Sequence, residues 1–488
     1  MTESDARARA LTGQFWVAGG EEERVAGALT LEPEGPMLQL SGMLTPAWTE
    51  GAPNPEHGTT SISRSPATDN EYLTVHGYAD GTPVTLIDSF TTHRRYSFMD
   101  PEVGEHQLGA TYAVIGAHVP GNDALYTAVR FRTRHLDEWA SLPGFKYRRT
   151  PQSIAYEQVD MPPVQLHNEG RLDLQQVVTM SSLSARGGAL NRTVWLRATD
   201  LPPTRWRSLD RDLVIPLSSL LTLVTDTDCP VVEIEVLPQG EDSWCAVHSR
   251  GVRPPAERPF RPQDALIPRN LLGLPQFAAW LARVEVLGSL PSAIADTAMG
   301  PSQALETQVL ILTTVAEGLA RRLWPDWVRI STEEADQARK LVHTALGEQS
   351  SEVIAAVAGA LSQLHEPSYP KRLLELAQHV SDVVPNAEGR RNSDGAPNRW
   401  KSAVVGARNE LAHQLHQGWL DDTKVDRYFT VIGSLRWLLT AVLLRETGVD
   451  PDTLAECFNQ HEPYKLFLDH AQELLPTVYG STSNERTP

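Results

Sequence analysis

One amphipathic helix is predicted by the stretch Trp400-Lys-Ser-Ala-Val-Val-Gly-Ala-Arg-Asn-Glu-Leu-Ala-His-Gln-Leu-His-Gln-Gly418. Its apolar residues recur at steps of three and four, which draws a single stripe along a helix. These residues are Trp400, Val404, Ala407, Leu411 and Leu415. Asn409 and His413 are four residues apart and share the opposite face, with Arg408 on its flank. The stretch therefore predicts a helix that packs on one side and offers Arg, Asn and His to solvent, a partner or a substrate.

The sequence on both sides of this stretch continues the helical pattern. Longer helices are predicted over 271–287, 301–323, 332–346, 353–364, 371–383 and 421–446, with short helices from Asp452 and Tyr464. The polar segment 385–398 leads directly into Trp400. Several helices joined by short loops predict a helical bundle.

The N-terminal half has a different period. From Gly13 to about Pro238 its apolar runs are short and are punctuated by Gly, Pro and acidic residues. They predict strands over 15–17, 25–31, 37–44, 84–87, 111–117, 125–133, 194–198 and 231–237, with two short helices at 135–142 and 216–224. Strands at short spacing without regular helices between them favour an antiparallel sandwich or barrel-like domain. The fold class is therefore predicted to be α+β and multidomain.

A length of 488 residues favours two or three domains. We predict a β-rich sensing or regulatory domain over 1–252, and a linker with a connecting helix over 253–300. The linker begins where Pro and Arg crowd the chain. The helical bundle is predicted over 301–475, and a disordered tail over 476–488.

The net charge of −18 excludes a generic polyanion binder, so any contact with nucleic acid needs a local basic patch. Three scattered cysteines without metal-ligand spacing favour a reducing compartment. The N-terminus has no signal-peptide pattern, and the apolar run 431–444 is short and carries Arg436. We therefore predict a cytoplasmic protein that needs no membrane, metal or cofactor. The N-terminal half holds no phosphate loop, zinc spacing or nucleophile elbow.

An Arg and a His on the exposed face of one helix have the chemistry for metal-free RNA cleavage. The attacking 2′-hydroxyl must lose a proton and the leaving 5′-oxygen must gain one, and histidine titrates close enough to neutral pH for either transfer. Negative charge gathers on the phosphorus oxygens in the transition state, and a forked guanidinium matches that geometry. Asn409 is placed to orient the phosphate or to fix the imidazole tautomer.

Two segments of the chain have Arg-x4-His spacing, which we call the Arg408 motif (Arg408–His413) and the Arg130 motif (Arg130–His135). About one match is expected by chance in a chain of this length. The Arg130 motif ends a predicted strand, where its Arg and His point to opposite faces. The Arg408 motif lies on a predicted helix and carries Asn409 beside the Arg. It is therefore the better candidate.

Arg408-Asn-Glu-Leu-Ala-His413 resembles the Arg-polar-x3-His motif of HEPN domains, and the similarity extends from Pro301 to about Leu475. The resemblance implies a bundle of four to five helices that acts as a metal-independent endoribonuclease. It also implies that two copies pair with their motifs facing each other. The family's first long helix often carries an acidic residue, for which Glu317 is the candidate.

The order of a β-rich half and a C-terminal HEPN bundle resembles ApeA-type anti-phage proteins. Arg134-His-Leu-Asp-Glu-Trp139 and the run Leu220-Leu-Thr-Leu-Val224 are similar to that family's N-terminal domain. The resemblance implies an abortive-infection effector that cleaves RNA, with tRNA as one candidate, after sensing a phage-derived trigger. The products are expected to carry 2′,3′-cyclic phosphate ends.

The predicted site residues fall into two groups. The catalytic group is Arg408, His413, Asn409 and Glu317, and the RNA-binding group is Arg390, Arg391, Arg399 and Lys401. The second group is a cluster of cations in an acidic protein.

Each of these residues has a simpler interpretation. Arg408 can form a surface ion pair with Glu410 or a neighbouring helix, and Glu317 can be a structural partner for Arg321 or Arg408. His413 can be an exposed or interface histidine, and His416 lies beyond the motif. The basic residues can belong to a solvated loop, as can the basic and aromatic segment 145–149.

Two other functions therefore stay open. One is a non-catalytic HEPN scaffold that binds RNA or protein and is regulated by the N-terminal domain. The other is a carbohydrate- or ligand-binding protein that is led by its β-domain and uses the bundle to oligomerise.

Overall fold

The computed structural model of the protein describes most of its 488 residues. The described residues are 10–45, 48–50, 62–64, 72–96, 104–142, 145–149, 152–156, 161–167, 169–180, 190–252, 260–298, 304–347, 349–390, 395–414 and 421–480. Within these ranges, the side chains of 48–50, 62–64, 96, 145–149, 152–156 and 413–414 are not described.

The chain divides into two compact units. The first comprises Met1–Ser218 and Cys229–Pro262, and the second comprises Ser219–Asp228 and Gln263–Pro488. The predicted linker, 253–300, falls partly in each unit and includes residues 253–259 and 299–300, which lie outside the described residues.

The first unit is built from antiparallel strands. They are β1 (Leu11–Val17), β2 (Val25–Glu32), β3 (Gly35–Leu40), β4 (Trp48–Glu50), β5 (Ile62–Arg64), β6 (Leu73–Ala79), β7 (Thr82–Tyr96), β8 (Gly104–Gly109), β9 (Tyr112–Ile115), β10 (Leu125–Thr133), β11 (Phe145–Arg149), β12 (Gln152–Tyr156), β13 (Val164–Gln165), β14 (Arg171–Met180), β15 (Leu190–Thr199), β16 (Thr204–Arg205), β17 (Val231–Pro238) and β18 (Cys245–Ser249). Segment 145–149 is thus a strand paired with β12, rather than a loop.

Six of these strands close into a barrel in the order β7-β6-β1-β2-β3-β8, and β8 returns to pair with β7. Alternate side chains point inwards and form the core, which includes Phe15, Leu29, Leu38, Val75 and Val84, each 0% exposed. Strand β7 is fifteen residues long, which lets it pair with β6, β8 and β9 along its length. The prediction left sandwich and barrel open, and the structure forms a barrel.

The sheet continues beyond the barrel in the order β7-β9-β18-β17-β10-β15-β14-β13. Two short helices, α1 (Leu136–Ala140) and α2 (Trp206–Leu209), belong to the same unit. A π-helical turn, Asp210–Val214, leads from α2 into α3 (Ile215–Thr225), whose residues from Ser219 onward belong to the second unit. Predicted helices at 135–142 and 216–224 therefore have their counterparts in α1 and α3.

The second unit is helical. Its helices beyond α3 are α4 (Leu274–Leu287), α5 (Leu290–Ala298), α6 (Leu305–Leu323), α7 (Thr332–Ala345), α8 (Ser351–Leu361), α9 (Tyr369–His379), α10 (Ala396–Gln414), α11 (Asp422–Arg445), α12 (Pro451–Gln460), α13 (Glu462–Leu474) and α14 (Pro476–Tyr479). The predicted α+β multidomain fold, β-rich and then helical, is confirmed.

Helix α14 lies where the sequence predicted a disordered tail over 476–488. Val478 and Tyr479 are buried, and the Tyr479 hydroxyl donates to the Ala387 carbonyl at 2.6 Å. Burial of these two side chains stabilises a four-residue helix that has little propensity to form alone. Residues 481–488 lie outside the described residues.

Helix α11 is the central helix of the bundle, with thirteen of its twenty-four residues buried. Its length and apolar composition would allow it to cross a membrane, but 72% of its apolar window is buried inside the protein. Helices α4 and α5 satisfy the same test only as a pair, and they are bent by 106°. A helix buried to this extent is typical of a protein core.

Candidate active site

Helix α10 packs through the stripe that the sequence predicts. Trp400, Val404 and Ala407 are at most 1% exposed, and Leu411 is 6% exposed. The Trp400 Nε1 donates to the Ser434 hydroxyl of α11 at 3.0 Å, which satisfies the one polar atom of a buried ring. These contacts fix the rotation of α10, and so they decide which way Arg408 points. Leu415 lies outside the described residues.

Arg408 points towards α6 rather than into open solvent. Its Nη2 donates to the Glu317 Oε2 at 2.7 Å, and the two side chains are 29% and 23% exposed. A guanidinium has five N–H donors, so this bond leaves donors for a second acceptor. Glu317 therefore holds Arg408 while a part of the guanidinium stays accessible to an anion such as a phosphate.

Tyr369, at the start of α9, completes this arrangement. The guanidinium carbon of Arg408 lies 4.2 Å from the centroid of the Tyr369 ring, within cation–π range. Burial raises the pKa of the Tyr369 hydroxyl. The negative charge of Glu317 raises this pKa further, and the positive charge of Arg408 lowers it in part. The hydroxyl is buried, and within the described part of the chain it has no hydrogen-bond partner. Helices α6, α9 and α10 thus meet at one guanidinium.

An alternating series of ion pairs continues from Glu317. Its Oε1 lies 3.3 Å from the Arg321 Nη2, Arg321 pairs with Glu366, and Glu366 lies 3.1 Å from the Arg372 Nη2. Burial is the largest cause that lowers the pKa of Arg372, and Arg321 lowers it further. This network anchors Glu317 from the side opposite Arg408. The simpler interpretation named Arg321 or Arg408 as the partner of Glu317, and the structure contains both contacts.

Glu410 contacts α11 rather than Arg408. It forms an ion pair with Arg427 and accepts from the Tyr428 hydroxyl at 3.3 Å, both on α11. The surface pair between Arg408 and Glu410 is thus not the one that forms. The other simple interpretation, an ion pair with a neighbouring helix, is what Arg408 makes through Glu317.

The remaining catalytic candidates, Asn409 and His413, are also residues of α10. Asn409 is exposed and lies on the side away from the buried stripe, as predicted. His413 lies within the helix one turn after Asn409, but its side chain is outside the described residues, as is His416 entirely. The roles of Asn409 and His413 therefore stay predictions.

Three of the four predicted RNA-binding cations lie within the described residues, and two of them, Arg390 and Arg399, contact neighbouring residues of α14. The Arg399 Nε donates to the Thr477 carbonyl at 2.6 Å, and the Arg390 backbone N–H donates to the Val478 carbonyl at 3.4 Å. Lys401 donates to the Asn398 side chain of its own helix at 2.8 Å. Arg391 lies outside the described residues. Arg390 and Arg399 are exposed, so binding to RNA stays a prediction.

Sequence reasoning missed Tyr369. It lies 39 residues before Arg408, on another helix, so no local spacing connects the two. The one available signal was its position in Ser368-Tyr-Pro370, where Pro within the first turn marks a helix start. That signal predicts the helix but not what its first residue contacts.

Comparison with known families gives two matches. The family described as "ApeA N-terminal domain 1" matches residues 10–278, and "Apea-like HEPN" matches residues 310–453. The first match alone covers more than half of the 488 residues. The chain belongs to the ApeA family. No curated protein and no solved structure matches it.

The HEPN match of this ApeA-family chain contains Glu317, Tyr369 and the whole Arg408 motif. HEPN domains are generally ribonucleases, so the match supports a nuclease and an anti-phage family. The ApeA resemblance predicted from the sequence is confirmed.

Proposed function

We propose that this protein is a metal-independent endoribonuclease that cleaves RNA in abortive-infection defence against phages. Arg408 binds the reacting phosphate and stabilises its transition state, and His413 is the general acid or base. Asn409 orients the phosphate or the imidazole. Cleavage leaves a 2′,3′-cyclic phosphate because the adjacent 2′-hydroxyl is the nucleophile.

The observation that carries this proposal is the position of the Arg408 guanidinium. It is held by Glu317 at 2.7 Å and by the Tyr369 ring at 4.2 Å, yet 29% of its side chain is exposed. A hydrogen-bond donor that is already fixed before the substrate binds needs little further rearrangement to stabilise the transition state. His413 follows five residues later on the same helix, so both groups are carried by one rigid element.

The substrate is a cellular RNA, of which tRNA is a candidate, and it contacts the exposed cations Arg390 and Arg399. Two or more copies associate through the helical unit, and the β-rich unit senses a phage-derived trigger in the cytoplasm. The net charge of −18 keeps non-specific RNA binding weak, so activation selects the substrate.

The test is cleavage of RNA by the purified full chain in the presence of EDTA. Wild type, Arg408→Ala and His413→Ala are compared with Arg427→Ala. Arg427 is a matched control because it forms an ion pair of similar exposure on a neighbouring helix. We expect wild type and the control to cleave, and the two motif variants not to cleave. Sequencing of RNA ends from cells that express wild type or His413→Ala identifies the substrate.

Four results would contradict the proposal. The first three are cleavage that needs a divalent metal, cleavage that survives both motif substitutions, and equal loss of cleavage in Arg427→Ala. A product with a 5′-phosphate and a 3′-hydroxyl would also exclude attack by the 2′-hydroxyl.

A non-catalytic HEPN scaffold is the second candidate. The Arg408–Glu317 ion pair favours it, since an Arg neutralised by a carboxylate is typical of a structural contact. The scaffold predicts that Arg408→Ala lowers thermal stability and leaves RNA intact in every variant. Measurement of melting and cleavage on the same samples separates the two candidates.

A further inference from the structure

A cleft of about 670 Å³ lies between two walls of the helical unit. One wall is the segment 263–271, which precedes α4, and the other is formed by α12 and the start of α13. All the described lining residues belong to the second unit, and none of them is in the group proposed for RNA cleavage. Clefts that bind small molecules enclose roughly 300–1,000 Å³. The cleft therefore has the size of a separate ligand site.

Three carboxylates line this cleft, and among the described lining residues there is no lysine or arginine. Asp264 lies on the first wall, and Glu456 and Glu462 lie on the second; all three residues are exposed. The Glu456 Oε1 accepts a hydrogen bond from the Gln460 Nε2 at 2.9 Å, which leaves the charge of the carboxylate in place. Both walls of the cleft thus carry negative charge.

The nearest cations along the chain within the second unit neutralise at most one of these carboxylates. The Lys465 Nζ lies 3.7 Å from the Glu462 Oε2, and the two side chains are 49% and 71% exposed. An exposed ion pair of this length contributes little free energy, so another cation can replace Lys465. The Arg269 Nη1 donates to the Leu272 carbonyl at 2.8 Å, and Arg269 is not a lining residue.

A buried histidine adds an independent signal for a ligand. The His461 side chain is 4% exposed, and its Nε2 lies 3.0 Å from the Oδ2 of Asp226, which also pairs with Arg436 of α11. The His461 Nδ1 has no hydrogen-bond partner among the described residues, yet it is not one of the buried polar atoms. It therefore faces open space, and the cleft is the open space that His461 lines.

The contact with Asp226 determines what His461 offers to the cleft. A carboxylate only accepts hydrogen bonds, so the Nε2 carries the proton. The Nδ1 of the neutral ring is then an acceptor. Since the other charged groups of the lining are also acceptors, the cleft is suited to a ligand that supplies N–H donors and positive charge.

Apolar residues on both walls indicate the rest of the ligand. Leu266 and Leu271 lie on the first wall and Leu466 on the second; Leu266 is buried, whereas the other two are 38% and 47% exposed. Burial raises the pKa of the Cys457 thiol, and the charge of Glu456 raises it further. A neutral thiol is a small apolar group. Carboxylates with apolar surface between the walls fit a flexible aliphatic chain better than a hydrated metal ion, which prefers oxygen ligands alone.

We propose that this cleft binds an aliphatic polyamine, a small molecule with protonated amines along a flexible alkyl chain. The ammonium groups pair with the carboxylates of both walls, and one N–H donates to the His461 Nδ1. The methylene groups pack against Leu266, Leu271 and Leu466. The proposal does not rest on RNA cleavage, because the cleft and its ligand are measured by binding alone.

The first experiment titrates the full-length protein with spermidine by isothermal calorimetry at constant, low ionic strength. Wild type is expected to bind with a Kd on the order of 0.1 mM. Asp264→Asn and Glu456→Gln each remove one carboxylate from the cleft and are expected to weaken binding about threefold, and the double variant about tenfold. Glu473→Gln is the matched control, because it removes the same charge from an exposed residue of α13 outside the lining.

The second experiment fills the cleft. Leu466→Arg places a guanidinium beside the carboxylates and is expected to abolish spermidine binding, since the new cation occupies their acceptors. The substitution is compatible with folding because Leu466 is 47% exposed. Leu466→Gln is the matched control: it is polar but uncharged, and its Kd is expected to stay within about threefold of wild type. Circular dichroism checks that every variant folds.

Four results would overturn the proposal. They are the absence of saturable binding by wild type, equal weakening in Glu473→Gln and in the two cleft variants, and spermidine binding by Leu466→Arg that matches wild type. Equal weakening would mean that spermidine is attracted by the net charge of −18 rather than by the cleft. The fourth is a Gly-Lys-Lys-Gly peptide that binds at least about tenfold more tightly than spermidine and is lost in Leu466→Arg, which would replace the polyamine by a basic protein segment.

Discussion

The Arg130 and Arg408 motifs have the same Arg-x4-His spacing in opposite environments. Arg130, on strand β10, donates from Nε to Glu235 at 2.6 Å and from Nη1 to Gln175 at 3.1 Å. Its guanidinium carbon also lies 4.9 Å from the Trp195 ring centroid and 4.7 Å from that of Trp244, and 16% of its side chain is exposed. The N–H donors of the Arg130 guanidinium thus bond to Glu235 and Gln175, and the rings of Trp195 and Trp244 lie against it.

His135 does not lie on the same element as Arg130. It lies beyond the strand in a left-handed conformation with φ of 66°, and its ring packs 5.2 Å from that of Phe260. Arg408 has one carboxylate and one ring as neighbours, and His413 continues the same helix. The two motifs therefore differ in two respects: one helix carries both Arg408 and His413, and the Arg408 guanidinium has fewer neighbours than that of Arg130.

The largest expected effect is that of the histidines. His413→Ala removes the proposed general acid or base and is expected to slow single-turnover RNA cleavage by about 10²–10⁴-fold. His135→Ala changes a ring that packs on Phe260 and is expected to leave the rate unchanged. Equal effects of the two substitutions would remove the distinction between the motifs.

Substitution of Arg408 is expected to affect the cleavage rate, whereas substitution of Arg130 is expected to affect stability. Arg408→Ala should slow cleavage by about 10²–10³-fold, because it removes the donor that is proposed to stabilise the transition state. Arg130→Ala should keep the rate but lower the free energy of unfolding by about 1–3 kcal/mol, since Glu235 and Gln175 lose their partner. Rates and urea denaturation are measured on both. If Arg130→Ala slowed cleavage more than Arg408→Ala did, Arg130 rather than Arg408 would be the arginine that takes part in cleavage.

The carboxylates that hold the two arginines give a smaller effect. Glu317→Gln keeps the shape of the side chain but weakens its hold on Arg408, so cleavage is expected to fall about tenfold through misplacement of the guanidinium. Glu235→Gln is the matched control and should not change the rate. If Glu317→Gln cleaved as fast as wild type, Glu317 would have no positioning role.

The smallest effect is expected at Tyr369, whose hydroxyl is buried without a partner among the described residues. Tyr369→Phe removes that hydroxyl, keeps the ring under Arg408, and should raise the free energy of unfolding by about 1 kcal/mol with cleavage unchanged. Tyr369→Leu removes the ring and should slow cleavage about threefold to tenfold. Loss of cleavage in the Phe variant would show instead that the hydroxyl contacts the substrate.

Much of the fold could be predicted because its signals are local. The stripe Trp400, Val404, Ala407 and Leu411 is buried as its period requires, and the boundaries of α11 differ from the prediction by one residue at each end. Antiparallel strands were predicted from period two. Closure of β8 on β7 was not, because closure depends on strand length and register between segments that the sequence pattern treats separately.

The candidate site divides in the same way. Arg408 and Asn409 were predicted from their helix, and Glu317 from the family resemblance, whereas Tyr369 was missed because it comes from a third helix. Helix α14 was missed for a related reason: four residues have no period to recognise, and they fold because Tyr479 reaches Ala387.

The sequence by itself determined which faces of the helices and strands are apolar, the order of a β-rich half and a helical half, and the motif on α10. It did so because side-chain periodicity is a property of neighbouring residues. The tertiary structure decided that Arg408 meets Glu317 and Tyr369 while Arg130 is enclosed by Trp195 and Trp244. Those neighbours are set by the packing of distant elements, which the local sequence pattern of either motif does not contain.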